Sequence, residues 1–424
     1  MKINTNTAAD KVPFKGFYEA TRTVQENTLL NRGIIDMCGC ALPQAVMSNN
    51  KDEAIERLTM SGIYFCISAL TPFIMLPFFN KRFLSSSGIV KDLKGAEKNI
   101  IKVSKKYLTG DSKLLIDGIR ETAVKLDSGA HNKNRQAFEK ILSRYKGKED
   151  ELREKLIKVH KNVFTADFLT TALMNCATPY ITTELTEKRT HKKGFSAAFD
   201  MVDQQNFDEK KYEAAKKKKM FASALVATAT PLIAPRLIMK HITAPKGALK
   251  KYAENFNYYQ GMFMSKTMYA LMWALCDYPS LIIGSRDKLE RKDRAIRGAA
   301  LFAMFFGGDF LINNTTGRLI DKFAGTKIID RKPSSQNLKG KERLKQFFKD
   351  FKCLPRNFSD MDLIDASPKV INKTKKYGLG LYWFSLLANC GLIGFALPAV
   401  LNRMLRKSIK KDSIQKSPSI DTNQ

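Results

Sequence analysis

Uncharged apolar stretches alternate with basic polar stretches along this chain, and two of the apolar stretches are long. Residues 377–402 run for 26 positions without a charged side chain, and residues 58–80 run for 23. As a helix, 26 residues extend about 39 Å at about 1.5 Å per residue, against a hydrocarbon core of about 30 Å. Both stretches are therefore predicted to form transmembrane helices, the longer one tilted, or bent at Gly391, Gly394 or Pro398.

Four further apolar stretches, residues 168–183, 220–239, 262–284 and 299–312, are weaker candidates. The first is short and rich in threonine, the second holds Arg236, and the last is too short to span. The third contains Asp277, and a central aspartate raises the free energy of membrane insertion by about 2.5–3.5 kcal/mol. About ten large apolar residues in the same stretch offset this cost, because each lowers that free energy by about 0.3–0.6 kcal/mol. We expect these stretches to insert only as members of a bundle, the last one being either re-entrant or a buried helix.

Prolines interrupt several of these stretches, among them Pro72, Pro77, Pro179, Pro231 and Pro235. They would end a helix in water, but membrane helices tolerate them where neighbouring groups satisfy the freed carbonyls. The predicted fold class is all-α. We expect a polytopic helical membrane protein with about four to six apolar segments and with basic helical regions outside the membrane.

Local helices are predicted within the polar stretches. Asn50 or Asn49 is placed to cap a helix that ends at Arg57, and further helices are predicted over residues 95–108, 113–126 and 136–163.

The alternation of apolar and basic stretches divides the chain into seven regions. The regions are a polar N-terminal lead-in (1–57), a transmembrane segment (58–80), a basic helical extramembrane domain (81–161), apolar segments two to five with basic loops (164–317), a second basic extramembrane region (318–376), the final transmembrane segment (377–402) and a basic disordered tail (403–424).

Two resemblances within the chain suggest duplicated hairpins. Ser-Ala-Leu precedes Thr-Pro in residues 68–72 and again in 223–231, and Ala-Leu-Met precedes Cys-x-x-Pro in residues 172–179 and again in 270–279. Interrupted helices at matching positions of two halves are a feature of transporter sites. Apolar stretches built from few residue types also match by chance, so both interpretations stay open.

The polar stretches are basic, because 72 Lys and Arg against 41 Asp and Glu give the chain a net charge of +31. Such a surface attracts anionic lipid headgroups or nucleic acid. Lipid is the predicted partner, since the basic stretches flank apolar ones and no Arg-Gly repeat or zinc-finger spacing accompanies them; nucleic acid is the alternative. The residues expected at the membrane surface are Lys216, Lys217, Lys218, Lys219, Arg403, Arg406 and Lys407.

Short loops set the orientation of a polytopic protein. If all six stretches span, both termini share a side with residues 184–219 and 286–297, which hold ten Lys and Arg in 36 residues and six in 12. The short loop on the other side, residues 236–266, holds six in 31. We therefore expect a membrane location of the plasma or inner-membrane type with both termini in the cytoplasm. Hairpins that enter and leave on one face are the alternative.

Asp277 and Asp309 are candidates for an ion or substrate path, because an acid within an apolar segment is costly and normally faces a partner or water. Ser385, Ala388 and Asn389 share one face of the final helix, as interhelical packing residues do. No catalytic motif and no metal-ligand spacing surrounds the four histidines or seven cysteines. Neither an enzyme activity nor a cofactor is therefore predicted.

These observations support three hypotheses. The first is an integral membrane protein with a structural or interaction role, whose basic loops contact anionic lipid. The second is a transporter or channel that uses Asp277 and Asp309. The third is a soluble or peripheral helical protein that buries the apolar stretches in its own core and binds nucleic acid or a membrane surface.

Overall fold

The computed structural model describes residues 15–27, 30–31, 33–67, 71–89, 100–101, 112–125, 132–201, 209–244, 249, 258–259, 263–264, 266–330, 340–342 and 355–416. These residues are mostly helical, as predicted. One antiparallel ladder of two-residue strands, β1 (Tyr258–Tyr259) and β2 (Phe263–Met264), lies among them. The predicted helix at residues 95–108 lies outside the described residues, apart from 100–101.

The α-helices are numbered in chain order, and π-helical segments, which often mark functional sites, separate several of them. The π segments are Gly33–Ala41, Trp273–Asp277, Ala303–Gly308 and Cys390–Ala396. The α-helices are α1 (Lys15–Glu26), α2 (Leu42–Val46), α3 (Lys51–Phe65), α4 (Thr71–Ser86), α5 (Ser112–Lys125), α6 (Asn132–Arg144), α7 (Glu149–Thr190), α8 (Glu209–Thr243), α9 (Lys266–Met272), α10 (Tyr278–Ile283), α11 (Lys288–Phe302), α12 (Asp309–Ala324), α13 (Phe358–Met361), α14 (Pro368–Asn389) and α15 (Leu397–Lys416).

The chain forms two compact units. The first, unit 1, comprises Met1–Met47 and Ala303–Ala399, and the second, unit 2, comprises Ser48–Phe302 and Val400–Gln424. The core of unit 2 lies where α5, α6 and the first half of α7 pack together. Leu115, Phe138, Leu152, Leu156 and Phe168 are fully buried there.

The predicted cap of α3 is confirmed. The Asn50 side chain accepts a hydrogen bond from the Glu53 backbone N–H over 2.8 Å. Glu53 in turn accepts from the backbone N–H of Asn49, the residue before the cap, over 2.6 Å, a bond that resembles the return bond of a capping box. The predicted end at Arg57 is wrong, because the helix continues into the apolar stretch as far as Phe65.

The prediction of a single helix over residues 136–163 is also wrong. The chain turns after α6, where Gly147 adopts a left-handed φ of 74°, a conformation that favours glycine. α7 then runs for 42 residues, straight through the predicted boundary between the extramembrane domain and the second apolar stretch. A basic helical region and an apolar segment therefore share one continuous helix.

Three helices are long and apolar enough to cross a membrane: Glu209–Thr243, Lys288–Ala324 and Pro368–Lys411. They contain the predicted stretches 220–239, 299–312 and 377–402. Within the predicted stretch 262–284, a shorter apolar helix covers Met268–Ile283. Residues 58–80 are divided between α3 and α4, with 68–70 outside the described residues.

Unit 1 contains one apolar helix within the predicted polar lead-in, Gly33–Val46. It packs closely on the π segment of the final apolar stretch. A Cβ at Gly394 would lie 2.6 Å from Cβ of Pro43, so only glycine allows this approach. The side chain of Gln44 donates to the carbonyl of Ile393 at the same contact, over 3.5 Å.

Candidate functional site

Several helices of unit 2 come together at one place, which we call the polar end. α7 ends there beside the start of α3, because Arg189 lies 3.3 Å from the carboxylate of Asp52. α8 begins there, since Lys216 lies 3.0 Å from Glu187. Lys219 then donates to the carbonyl of Ser285, between α10 and α11, over 2.6 Å.

The C-terminal helix α15 reaches the same place. Asn49 donates to the side chain of Asn402 over 3.0 Å, and Lys292 donates to the hydroxyl of Ser408 over 3.3 Å. In chain order, α3 begins at the polar end, α7 ends there, α8 begins there, α10 ends there, α11 begins there and α15 runs into it. The described parts of two basic stretches, residues 184–201 with 209–219 and residues 286–297, are gathered here with the start of the tail. The sequence places these stretches on one side of a six-span arrangement.

The centre of the polar end is a buried fork of hydrogen bonds. Arg286 donates to both carboxylate oxygens of Glu56, over 3.1 and 2.6 Å, and also to Glu290 over 2.8 Å. Arg294 contacts Glu290 from the other side at 2.7 Å. Such bidentate, charge-assisted bonds fix both distance and orientation.

Further ion pairs extend the fork into what we call the ionic network. Arg57 pairs with Glu53 and reaches Asp293 at 3.8 Å, and Arg297 donates to Asp293 over 2.9 and 3.0 Å. Four carboxylates therefore balance four guanidinium groups, and the network has no net charge. Its members are Glu53, Glu56, Glu290, Asp293, Arg57, Arg286, Arg294 and Arg297.

Burial and pairing act against each other in this network. Burial alone would lower the pKa of Arg286, but the carboxylates of Glu290 and Glu56 more than offset it and raise that pKa. A buried ion pair is favourable only when its geometry is good and its remaining hydrogen-bonding groups are satisfied. The Arg286 fork meets both conditions, since its Nε, Nη1 and Nη2 atoms all donate to carboxylates.

A second polar group lies deeper in unit 2, around Asp277. Asp277 is 0% exposed, and the side-chain nitrogen of Asn175 donates to its Oδ2 over 3.1 Å. Asn175 belongs to the uncharged part of α7, residues 168–183, about midway between Asp167 and Glu184. At about 1.5 Å per residue, Asn175 therefore lies about 12–14 Å along the helix from the charged residue at either end of that part.

The buried face of α7 explains its weak apolar signal. Thr171, Thr178 and Thr182 are buried, and each hydroxyl donates to the backbone carbonyl four residues earlier, over 2.9, 3.3 and 3.0 Å. The hydroxyl groups of these threonines are therefore hydrogen-bonded within their own helix. The inner face of the predicted stretch thus mixes these threonines with apolar residues such as Phe168, whereas its outer face is apolar.

The backbone around Asp277 departs from the hydrogen bonding of a regular α-helix. The residue ends the π segment Trp273–Asp277, and Pro279 follows two positions later. Because proline has no N–H, the carbonyl of Leu275, four residues earlier, lacks its usual α-helical donor. The hydroxyl of Thr230 in α8 donates to that carbonyl over 3.4 Å.

Among the described residues near Asp277, the buried polar atoms without a hydrogen-bond partner include Oδ1 of Asp277, the hydroxyl of Tyr64 and Nε1 of Trp273. The rings of Tyr64 and Trp273 meet edge to face with centroids 6.4 Å apart. Surface grooves at Tyr145, of about 290 Å³, and between Leu289 and Leu405 are lined by other residues. Neither groove supplies an ion path to Asp277.

The other predicted site residues are placed as follows. Asp309 starts α12 in unit 1, but its side chain lies outside the described residues. Ser385 is buried in α14, while Ala388 and Asn389 are partly buried there. Among the basic residues, Lys216 and Lys219 bind within unit 2, and Lys217, Lys218, Arg403, Arg406 and Lys407 are exposed.

Sequence reasoning missed the ionic network. Its signal was present, because Glu53 with Arg57, Glu290 with Arg294, and Asp293 with Arg297 are acid–arginine pairs four residues apart beside apolar stretches. Among the described residues, no group of three or more His, Cys, Asp or Glu side chains could hold a metal ion.

Comparison of the chain with protein-family models, curated proteins and solved structures gives no match. Function therefore has to be inferred from the residues themselves.

Proposed function

We propose that this chain is a polytopic membrane protein with a structural or interaction role, and that the basic residues around its polar end bind anionic lipid headgroups. The observation that carries the proposal is the hairpin of α7 and α8. The hydroxyls of Tyr180 and Ser223 share a hydrogen bond of 2.8 Å, and Arg153 donates to the carbonyl of Thr243 over 3.4 Å. The two helices are therefore antiparallel along their whole length.

This hairpin has a matched uncharged band. Residues 168–183 of α7 and 220–235 of α8 are each 16 residues without a charge, and the antiparallel register sets them side by side. Each band is about 24 Å long at about 1.5 Å per residue. A hydrocarbon core of about 30 Å accepts this length with slight thinning or snorkelling of flanking residues such as Arg236 and Lys219.

The outer surface of the candidate spans is apolar and open. Only 28%, 12% and 28% of the apolar windows in Glu209–Thr243, Lys288–Ala324 and Pro368–Lys411 are buried within the chain. Phe221 is 73% exposed, and Leu387 is 64% exposed. An exposed apolar surface of this kind marks contact with a membrane or a partner, and it favours the first hypothesis over a soluble protein with a self-contained core.

The charge left over after pairing supports lipid binding. The ionic network is neutral, so the net charge of +31 lies outside it. Lys217 and Lys218 stand exposed just before the uncharged band of α8, and Arg403, Arg406 and Lys407 stand exposed just after residues 377–402. Basic residues at such junctions gain about 1 kcal/mol each near an anionic surface.

Two measurements test the proposal. Carbonate extraction of expressed membranes should leave the protein in the pellet, and its release into the supernatant would defeat the membrane assignment. In detergent, phosphatidylglycerol should raise the midpoint of thermal unfolding more than phosphatidylcholine does. Replacing Lys217, Lys218, Arg406 and Lys407 with glutamine should remove that difference.

The matched control replaces four exposed lysines of the predicted extramembrane domain, Lys140, Lys146, Lys148 and Lys158, with glutamine. It should keep the preference for phosphatidylglycerol. Equal loss in both variants would show that net charge, and not the junction surface, is what lipid recognises.

A second candidate function is ion or substrate transport through the Asp277 region, favoured by the position of Asp277 halfway along the uncharged band. Reconstituted vesicles would be assayed for ion flux with the wild type, with Asp277→Asn and with Asp309→Asn. Flux that neither substitution changes would remove this candidate.

A further inference from the structure

Among the described residues of unit 2, no cation lies beside Asp277. Within the described residues, Asn175 is the one hydrogen-bond donor to its carboxyl group, and Oδ1 is unpaired. The neighbouring titratable groups are Tyr64 from α3, Cys176 from α7 and Cys276 from its own segment. All three are ordinarily uncharged at neutral pH.

In the part of the chain that the structure describes, the remaining neighbouring helices supply no free charge to this carboxyl group. α8 contributes the hydroxyl of Thr230, already bonded to Leu275. Arg294 of α11 donates to the carbonyl of Leu281 over 3.1 Å and pairs with Glu290 at 2.7 Å. Its guanidinium group is thus bound within the ionic network.

An ionised carboxylate at this position would be buried without a counter-ion, which is among the most costly arrangements in a protein. Uptake of one proton from water converts the carboxylate to a neutral acid and removes most of that cost. The neutral acid still accepts the hydrogen bond from Asn175. It also gains one O–H donor at Oδ1, the atom that has no partner at present.

We propose that Asp277 is a proton-binding site halfway along the uncharged band, with Asn175 as the residue that positions its carboxyl group. The unpaired hydroxyl of Tyr64 and the unpaired indole N–H of Trp273 lie in the same region, where they can bond a water molecule that delivers or removes the proton. The π segment that ends at Asp277 departs from α-helical geometry at this point, as helices often do at functional sites.

The test is infrared spectroscopy of the full chain in lipid nanodiscs. At neutral pH the wild type should show the C=O stretching band of a protonated carboxylic acid, which shifts on deuterium exchange and disappears as the pH is raised. Asp277→Asn should lack the band. Asn175→Ala should move its frequency, because the amide donor is lost. The control Asp117→Asn, at an exposed acid of α5, should leave the band unchanged.

Absence of the band from the wild type at neutral pH, or its persistence in Asp277→Asn, would overturn the proposal. Loss of the band when sodium chloride replaces choline chloride at constant pH would make this a sodium site and would equally overturn it. If Asp277→Asn does not fold, the Asn175→Ala variant decides, because Asn175 donates to the Asp277 carboxyl group and its loss must move a band that comes from Asp277.

The proposal deepens the second candidate function but can fail separately from it. A band without ion flux would show proton binding in a protein that does not transport. Release of the protein by carbonate would contradict the membrane assignment. The infrared spectrum would still test whether Asp277 binds a proton.

Discussion

Arg286 and Glu56 form two parallel N–H···O hydrogen bonds, of 3.1 and 2.6 Å, although 230 positions separate them in the sequence. Both side chains are at most 6% exposed. The pair joins the first turns of α3 to the start of α11. It therefore fixes which helices meet at the polar end, a constraint that nonspecific apolar packing does not supply.

Replacing Arg286 with methionine should destabilise the protein by about 3–5 kcal/mol, because Glu56 is left buried without its partner. The measurement is the free energy of unfolding in detergent. Glu56→Leu combined with Arg286→Met should recover much of the loss, since no isolated charge remains. Arg403→Met, at an exposed position, is the control and should change little. Strictly additive losses in the double variant would show that the two residues do not act as a pair.

Acid should unfold the protein through the same network. Glu290 and Asp293 lie in the charged first part of α11, before the apolar stretch that begins at residue 299. Burial alone would raise the pKa of each, but the neighbouring guanidinium groups outweigh burial and lower both. A carboxylate whose pKa is lower in the folded state stabilises the fold above its unfolded pKa, and that stabilisation is lost as the pH falls through the folded value.

The stability that Glu290 and Asp293 contribute should therefore stay level from neutral pH to about pH 5 and fall below about pH 4. Asp293→Asn should make this fall shallower, as measured by chemical unfolding across the pH range. Glu154→Gln, at a side chain 71% exposed, serves as control and should reproduce the wild-type curve. An acid slope that Asp293→Asn leaves unchanged would assign the pH dependence to other carboxylates.

The sequence predicts those features of this fold that depend on residues close together in the chain. The cap of α3 and the all-α class follow from local pattern, because a cap needs only Asn50 and the N–H group three residues on. The single helix predicted over residues 136–163 failed at Gly147, whose φ of 74° ends α6 within an otherwise helical pattern. A glycine in such a pattern leaves open whether the helix stops.

The sequence pattern did not predict contacts between segments that are distant in the chain. Asp277 was predictable as a costly acid, but its partner Asn175 is 102 positions away and has no local signal. The acid–arginine pairs of the ionic network were visible in the sequence as helix-surface pairs. Their assembly into one buried, neutral cluster depends on how α3 and α11 pack, which periodicity does not specify.

Close packing of α10 on α11 gives a further prediction. A Cβ at Gly298 would lie 2.5 Å from Cδ2 of Tyr278, and the hydroxyl of Tyr278 donates to the carbonyl of Ala295 over 2.9 Å, which holds the ring in place. Gly298→Ala should therefore cost about 1–3 kcal/mol of unfolding free energy through overpacking. Gly62→Ala, in the helix α3 with no atom within 4 Å of the added Cβ, should instead stabilise by about 0.4–1 kcal/mol. Equal effects at both positions would mean that helix propensity alone decides.

The gathering of helix ends at the polar end predicts the topology of the chain. In a background without its native cysteines, single cysteines would replace Lys188, Lys217 and Arg406, which are exposed at the polar end, and Lys158 and Lys240, which are exposed beyond the other end of the uncharged band. If the band spans the bilayer, a membrane-impermeant maleimide should label the first three from one side of sealed vesicles and the last two from the other.

The positive-inside bias further predicts that the side labelled at residues 188, 217 and 406 is the cytoplasmic one. If the segments instead enter and leave on one face as proline-bent hairpins, all five positions should label from the same side. That outcome would contradict the spanning hairpin of α7 and α8, because their 16-residue bands lie in antiparallel register with a charged residue at each end. Such a hairpin can keep both ends in water only if it crosses the bilayer or leaves its apolar outer face, including Phe221 and Leu225, against water.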